Sequence, residues 1–173
     1  MGFNPRLLCI VAAGLFGLAC LFYILSNALP SWATSSGTGE SLSFGLWQGC
    51  VTILNQKTCL AIQCSTTEGF TPCAKLYAAR AFVTIACLMA AVTVVILLLN
   101  ARNQDISNKT LLMGTKALAF FCLLMGIIGV AVGISAYMVG DSRVKPSLGV
   151  GAILGIIGIV VNLAGAIVTV LIR

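Results

Sequence analysis

Residues 45–59 read Gly45-Leu46-Trp47-Gln48-Gly49-Cys50, then seven residues, then Thr58-Cys59. A second tryptophan, Trp32, stands upstream behind Leu29-Pro30-Ser31. What flanks this stretch decides the fold. Before it lies an apolar run, roughly Leu7–Ala28, interrupted by Gly14 and Gly17. Three more runs follow, at Ala78–Leu99, Ala117–Val139 and Leu148–Ile172. Each is about 20 residues or longer, and at ~1.5 Å per residue a helix of that length crosses a hydrocarbon core of ~30 Å.

The composition agrees. Of 173 residues, 60% are hydrophobic and only 8% charged, too few charges to cover a soluble domain of this size. In lipid the backbone must satisfy its hydrogen bonds within the segment, so the four runs should be helices. A β-barrel would need short alternating strands, which the runs do not contain. We therefore expect one four-span domain over residues 1–173. Its connections are a large first loop at 29–75, a loop at 100–112 whose polar part is Asn100–Lys109, and a short loop at 140–147. The first run exceeds the apolar core of a signal peptide and no small-residue cleavage site closes it, so it reads as a retained span. The net charge of +6 does not point to nucleic acid, because the basic residues are scattered over loops and termini without a stripe.

Four spans put both termini on one side. Counting positive charge does not choose that side: Arg6, Arg102, Lys109, Lys116 and Arg173 face one way, and Lys57, Lys75, Arg80, Arg143 and Lys145 the other. Cysteine does choose. Cys50, Cys59, Cys64 and Cys73 all fall in the first loop, and an even cluster there suits disulfides in an oxidising compartment. Their spacing of eight, four and eight residues, in a chain without histidine, argues against zinc. The first loop is thus expected outside the cytosol and both termini inside. Asn108-Lys109-Thr110 is a glycosylation sequon, expected to stay bare on the cytosolic side. The other cysteines, Cys9, Cys20, Cys87 and Cys122, lie in apolar runs and read as small buried hydrophobes.

Within the first loop, Ser41–Trp47, Val51–Leu54 and Thr58–Ile62 are predicted strands, with Asn55-Gln56-Lys57 as a hairpin tip. The expected whole is a left-handed four-transmembrane-helix bundle carrying a small extracellular antiparallel β-sheet. A sheet so small is marginal alone and needs cross-links and the bundle beneath it.

The pattern Trp32…Gly45-Leu46-Trp47-x2-Cys50-x7-Thr58-Cys59 resembles the signature of the claudin superfamily, which includes claudins, peripheral myelin protein, epithelial membrane proteins and AMPA-receptor auxiliary subunits. Leu29-Pro30-x-Trp32 and Ala78-Ala79-Arg80-Ala81 are similar to the claudin segments at the start of the first loop and of span two. The resemblance implies a Cys50–Cys59 disulfide across adjacent strands, and anchoring of the sheet at the membrane surface by Trp32 and Gly45-Leu46-Trp47. Three features depart from claudins. Cys64 and Cys73 are extra; their separation repeats that of the first pair, which suggests a second disulfide, although four cysteines allow three pairings. The second loop is shorter. The chain also lacks a cytoplasmic tail with a PDZ-binding motif, so no PDZ scaffold is expected through that route.

Individual residues carry further expectations. The two tryptophans also suit the headgroup level as belt residues. Arg80 either snorkels to the headgroups or, as the resemblance implies, donates to backbone carbonyls near Trp32 and the Gly-Leu-Trp turn, a task suited to a rigid multi-donor plane. Lys116 reads as snorkelling. Asn162, the clear polar interruption of span four, reads as an interhelical hydrogen-bonding group worth ~1 kcal/mol. Gly129-x3-Gly133 and Gly151-x3-Gly155 are small-x3-small patterns, read first as packing within the bundle and second as a homo-oligomer face.

Functionally, the resemblance implies a cell–cell junction protein of the plasma membrane. It would associate with copies of itself or related claudin-like chains, in cis and in trans, to form a paracellular barrier. Glu40, Lys57 and Glu68 are the only ionised groups of the loop before Lys75, and Cys59 is followed by Leu60-Ala61-Ile62, which favours barrier over charge-selective pore. The alternative is an auxiliary subunit or membrane organiser for a larger channel, receptor or adhesion complex. Enzyme and transporter readings lack the membrane-embedded carboxylates and histidines they would use. No cofactor or metal is expected, and membrane lipid is the surrounding partner.

Overall fold

The structure is a computed structural model and describes residues 4–36, 40–54, 56–62, 71–102, 109–138 and 147–172, with the side chains of 71, 72 and 109–111 excepted. Its elements are α1 (Pro5–Ala28), β1 (Ala33–Ser36), β2 (Glu40–Phe44), β3 (Gln48–Ile53), β4 (Gln56–Ala61), α2 (Thr71–Arg102), α3 (Lys109–Met138), β5 (Ser147–Leu148) and α4 (Val150–Leu171). All four helices are long and apolar enough to cross a membrane. Each packs on its neighbour in sequence, and α4 closes the ring on α1.

The bundle is built for an apolar solvent. Leu88, Val95, Phe120, Val160 and Val170 point outward, while Ser26, Thr93, Thr115, Asn162 and Thr169 are buried. Such a surface would be a liability in water and is what lipid contact requires. Thr93 and Thr169 return their hydroxyls to carbonyls one turn back, Met89 and Gly165, at 2.7 and 2.8 Å. The core is lined with small residues, among them Ala12, Ala13, Ala19, Ala86, Ala90 and Ala152. Without a strong hydrophobic drive between helices in lipid, close backbone approach through small side chains supplies the packing.

The strands form one antiparallel sheet in the order β4-β3-β2-β1-β5. Register is fixed by pairs such as Phe44↔Gly49, Cys50↔Cys59 and Ala33↔Leu148. Because β5 comes from the connection between α3 and α4, the sheet joins that connection to the one between α1 and α2 at one end of the bundle.

Several expected boundaries move. The helix α1 runs through Gly14 and Gly17 without interruption. The helices α2 and α3 overrun their apolar runs: α2 begins at Thr71, inside the expected loop 29–75, and α2 and α3 invade the expected loop 100–112 from both sides. These extensions include polar residues such as Lys75, Asn100 and Arg102, which composition alone assigned to loops. Loop 140–147 gives up Ser147 to β5. The predicted strand Ser41–Trp47 is cut short at Phe44, because Gly45-Leu46-Trp47 is a turn in which Gly45 N–H donates to the Gln48 carbonyl at 2.9 Å. The other two strands begin earlier than expected, at Gln48 and Gln56. Of the expected tip 55–57, Gln56 and Lys57 therefore lie in β4 and Asn55 lies outside the described residues, while Leu54, just past β3, has φ at +49°.

Candidate functional site: the sheet and its anchor

Four chain segments meet where the sheet stands on the bundle, and each helix holds a different part. Trp32 is the hub for α4. Its indole is buried and its Nε1 donates to the Ser26 carbonyl at 2.6 Å. Gly133 and Gly151 form the slot: a Cβ on Gly151 would lie 2.8 Å from Trp32 Cδ1, and one on Gly133 would lie 3.0 Å from Cε3. The backbone of the same segment supplies acceptors to the start of α4. Gly149 N–H donates to the Trp32 carbonyl at 2.9 Å and Gly151 N–H to the Ser31 carbonyl at 2.7 Å. Helix N-termini leave such donors unpaired, and here loop carbonyls replace a side-chain cap. Trp32 is thus a buried plug and not a residue of the membrane-interface belt, the reading its position alone also allowed.

The turn Gly45-Leu46-Trp47 is held by the other three helices. Tyr137 on α3 donates its hydroxyl to the Gly45 carbonyl. Arg80 on α2 donates Nε to the Leu46 carbonyl at 2.6 Å, while the Leu46 side chain is wholly buried. Trp47, half exposed, donates Nε1 to Asn27 Oδ1 on α1 at 2.7 Å. Asn27 Nδ2 in turn donates to Thr84 Oγ1 at 3.0 Å, and Thr84 to the Arg80 carbonyl at 2.7 Å. The Arg80 guanidinium carbon sits 4.7 Å from the Trp47 ring centroid and 5.0 Å from that of Tyr77. Cation–π contact of this kind is strongest where water is excluded, and Arg80 is only 8% exposed. Its Nη2 is buried without a hydrogen-bond partner. Gly45 is required by crowding: a Cβ there would lie 2.6 Å from the Leu29 carbonyl oxygen.

Beyond the joint, Cys50 and Cys59 are disulfide-bonded between β3 and β4. Cys73 is also disulfide-bonded; Cys64, its expected partner, lies outside the described residues, as do Glu68 and Asn108. The strand β4 is exposed along its whole length, and Leu54 and Leu60 are 90% and 74% exposed. Among the described residues of the sheet only Glu40 and Lys57 ionise. The β1–β5 edge is hydroxyl-rich, with Thr34 Oγ1 and Ser147 Oγ 2.9 Å apart.

Lower in the bundle, Asn162 Nδ2 donates to Tyr23 Oη on α1 and to Cys122 Sγ on α3, both at 3.1 Å, leaving Oδ1 unpaired. Gly129 faces Phe82 and Val83 of α2, and Gly155 faces Val130 and Ser26, so both glycine pairs lie against partners within the chain. Lys116 reaches the Val170 carbonyl at 3.2 Å. Sequence reasoning missed Tyr137, Ser26 and Asn27, which carry no motif: a lone tyrosine, serine or asparagine near a span end signals nothing until its partner is known. Among the described residues no group of three or more His, Cys, Asp and Glu is placed to hold a metal. No protein-family model matches the chain, and no curated protein matches it. Fold and site define a class, a multi-pass helical membrane protein whose disulfide-tied sheet is bolted to every helix.

Proposed function

We propose that this chain is a claudin-like cell–cell junction protein of the plasma membrane, with its sheet outside the cell and both termini in the cytosol. The sheet associates laterally and between cells to form a paracellular barrier. The observation that supports this most is the four-way anchor. The residues of the resemblance, Trp32, Gly45, Leu46, Trp47 and Arg80, come together at one joint that sets the sheet upright on the bundle. A rigid pedestal suits a surface that must meet identical surfaces in a fixed orientation. The outer surface, with Leu54 and Leu60 exposed and few charges, suits contact and exclusion more than ion selection, because an apolar lining raises the cost of ion passage.

The test is expression in cells that form no junctions of their own, followed by reconstitution in epithelial monolayers. The protein should concentrate where two expressing cells touch and raise transepithelial resistance. Uniform surface distribution with unchanged resistance would remove the reading. A second reading, an auxiliary subunit of a larger complex, is favoured by β5, since this two-residue strand is spent on pairing with β1. Recovery of a stoichiometric larger membrane partner on mild extraction would favour it.

A further inference from the structure

Cys20 on α1 and Cys87 on α2 face each other inside the bundle with their sulfurs 3.5 Å apart. Each sulfur also lies against the other residue's carbonyl, Cys20 Sγ at 3.6 Å and Cys87 Sγ at 4.0 Å. Both are free thiols and neither takes part in the anchor. Cys20 is eight residues inside the end of α1 at Ala28, and Cys87 is seven residues past Arg80. At ~1.5 Å per residue both sit about 10–12 Å below the joint. The remaining free thiols are placed differently: Cys9 is buried, and Cys122 is engaged by the Ala86 carbonyl and Asn162.

Beside this pair a furrow of about 270 Å³ opens on the outer face of α1 and α2. Ile24, Trp47, Thr84 and Leu88 line it, Cys87 forms part of its wall, and Asn27 contributes an amide. The furrow is mostly apolar, and its flanking residues Ile24 and Leu88 are exposed on the outer face of the bundle.

We propose that Cys20 and Cys87 are a membrane-embedded oxidation site, converted to an interhelical disulfide by an organic hydroperoxide that enters from the bilayer through this furrow. The first sulfur attacks the terminal oxygen of the hydroperoxide. The O–O bond breaks, the thiol becomes a sulfenic acid, and the peroxide is reduced and leaves as the alcohol. The second sulfur then attacks the sulfenic sulfur. The S–S bond forms, the S–O bond breaks, and the thiol proton leaves with the hydroxyl as water. In sum, two thiols and one hydroperoxide give one disulfide, one alcohol and one water. The first step is slow for a thiol in apolar surroundings. The second is intramolecular between atoms already in contact, so it outruns further oxidation. The product ties α1 to α2 directly beneath Arg80 and Trp47. This inference does not depend on the junction reading.

The experiment uses the full chain in phospholipid nanodiscs. Separate samples receive cumene hydroperoxide, which partitions into lipid, or glutathione disulfide, which stays in water; free thiols are then capped and non-reducing peptide maps recorded. Cumene hydroperoxide is expected to give a Cys20–Cys87 linked peptide in most chains, with Cys9 and Cys122 still capped, while glutathione disulfide leaves all four capped. Ile24→Trp, which fills the furrow and covers Cys87 while leaving both cysteines in the chain, should slow the linkage by hydroperoxide. Cys20→Ser should give no linked peptide and move Cys87 to the sulfinic acid. The proposal is overturned if Cys20 and Cys87 stay thiols under hydroperoxide, or if they oxidise no faster than Cys9 and Cys122. It is equally overturned if the water-soluble oxidant links them as readily as the lipid-soluble one.

Discussion

Arg80 shows how much one side chain carries. Its Nε holds the Leu46 carbonyl and its plane lies against two aromatic rings. Lysine keeps the charge but not the plane or the directed Nε–H. We expect Arg80→Lys to lower stability by about 1.5–3 kcal/mol, the range for a hydrogen bond to a charged group, read as a lower Tm in detergent micelles; an unchanged Tm would show that the guanidinium plane is dispensable. Asn162 is the opposite case. Its two hydrogen bonds are each worth about 0.6 kcal/mol in a helical membrane protein, while its buried unpaired Oδ1 costs about 1–3 kcal/mol. Asn162→Leu removes both terms but leaves the buried Tyr23 hydroxyl without this partner, a cost that offsets the relief, so its Tm should fall only slightly, and a large fall would mean that Asn162 contributes more than its bonds. Both residues were legible in the sequence, since each is a polar group where apolar ones are the rule. Tyr137 was not, because a tyrosine near a span end is ordinary and only the fold brings it to Gly45.

At the scale of elements, the spans were legible because the solvent imposes one long apolar pattern on each of them. Their ends were less so: Thr71–Tyr77 of α2 continues a helix that lipid no longer demands, and tertiary contacts such as that of Leu76 with the core sustain it. The strands β1 and β5 escaped because four and two residues rich in serine and threonine give no periodicity; they exist through pairing. The hairpin β3–β4 was legible in outline and is the element most dependent on a covalent link, since β4 is exposed throughout. The Cys50–Cys59 bond joins residues nine apart in sequence, and chain-entropy arguments for so short a loop give roughly 2.5–3 kcal/mol. The paired substitution Cys50→Ser with Cys59→Ser should leave far-UV helicity intact while β3 and β4 lose amide-exchange protection. Full protection there would show that packing alone holds the hairpin.

Across the whole molecule, one geometric fact links topology to function. The sheet takes strands from the connection between α1 and α2 and from that between α3 and α4, so both connections share one side and the sheet has a single orientation relative to the membrane. The proposed placement of the sheet outside the cytosol rests on chemistry: two of its strands are tied by a disulfide, and such bonds persist in oxidising compartments. The hairpin offers a clean reporter. Asn55 stands between exposed Leu54 and exposed Gln56, and Lys57→Thr completes an Asn-x-Thr acceptor there. Lys57 is exposed on β4 opposite Thr52, and threonine favours a strand, so the change should not disturb the fold. In cells the variant should gain one glycan that an N-glycosidase removes, while the native sequon at Asn108 stays bare. If Asn55 is never modified in a variant that still forms the Cys50–Cys59 bond, the sheet does not pass through the compartment that adds glycans. The junction reading would then fail at its premise, because a surface that cannot leave the cell cannot meet its neighbour.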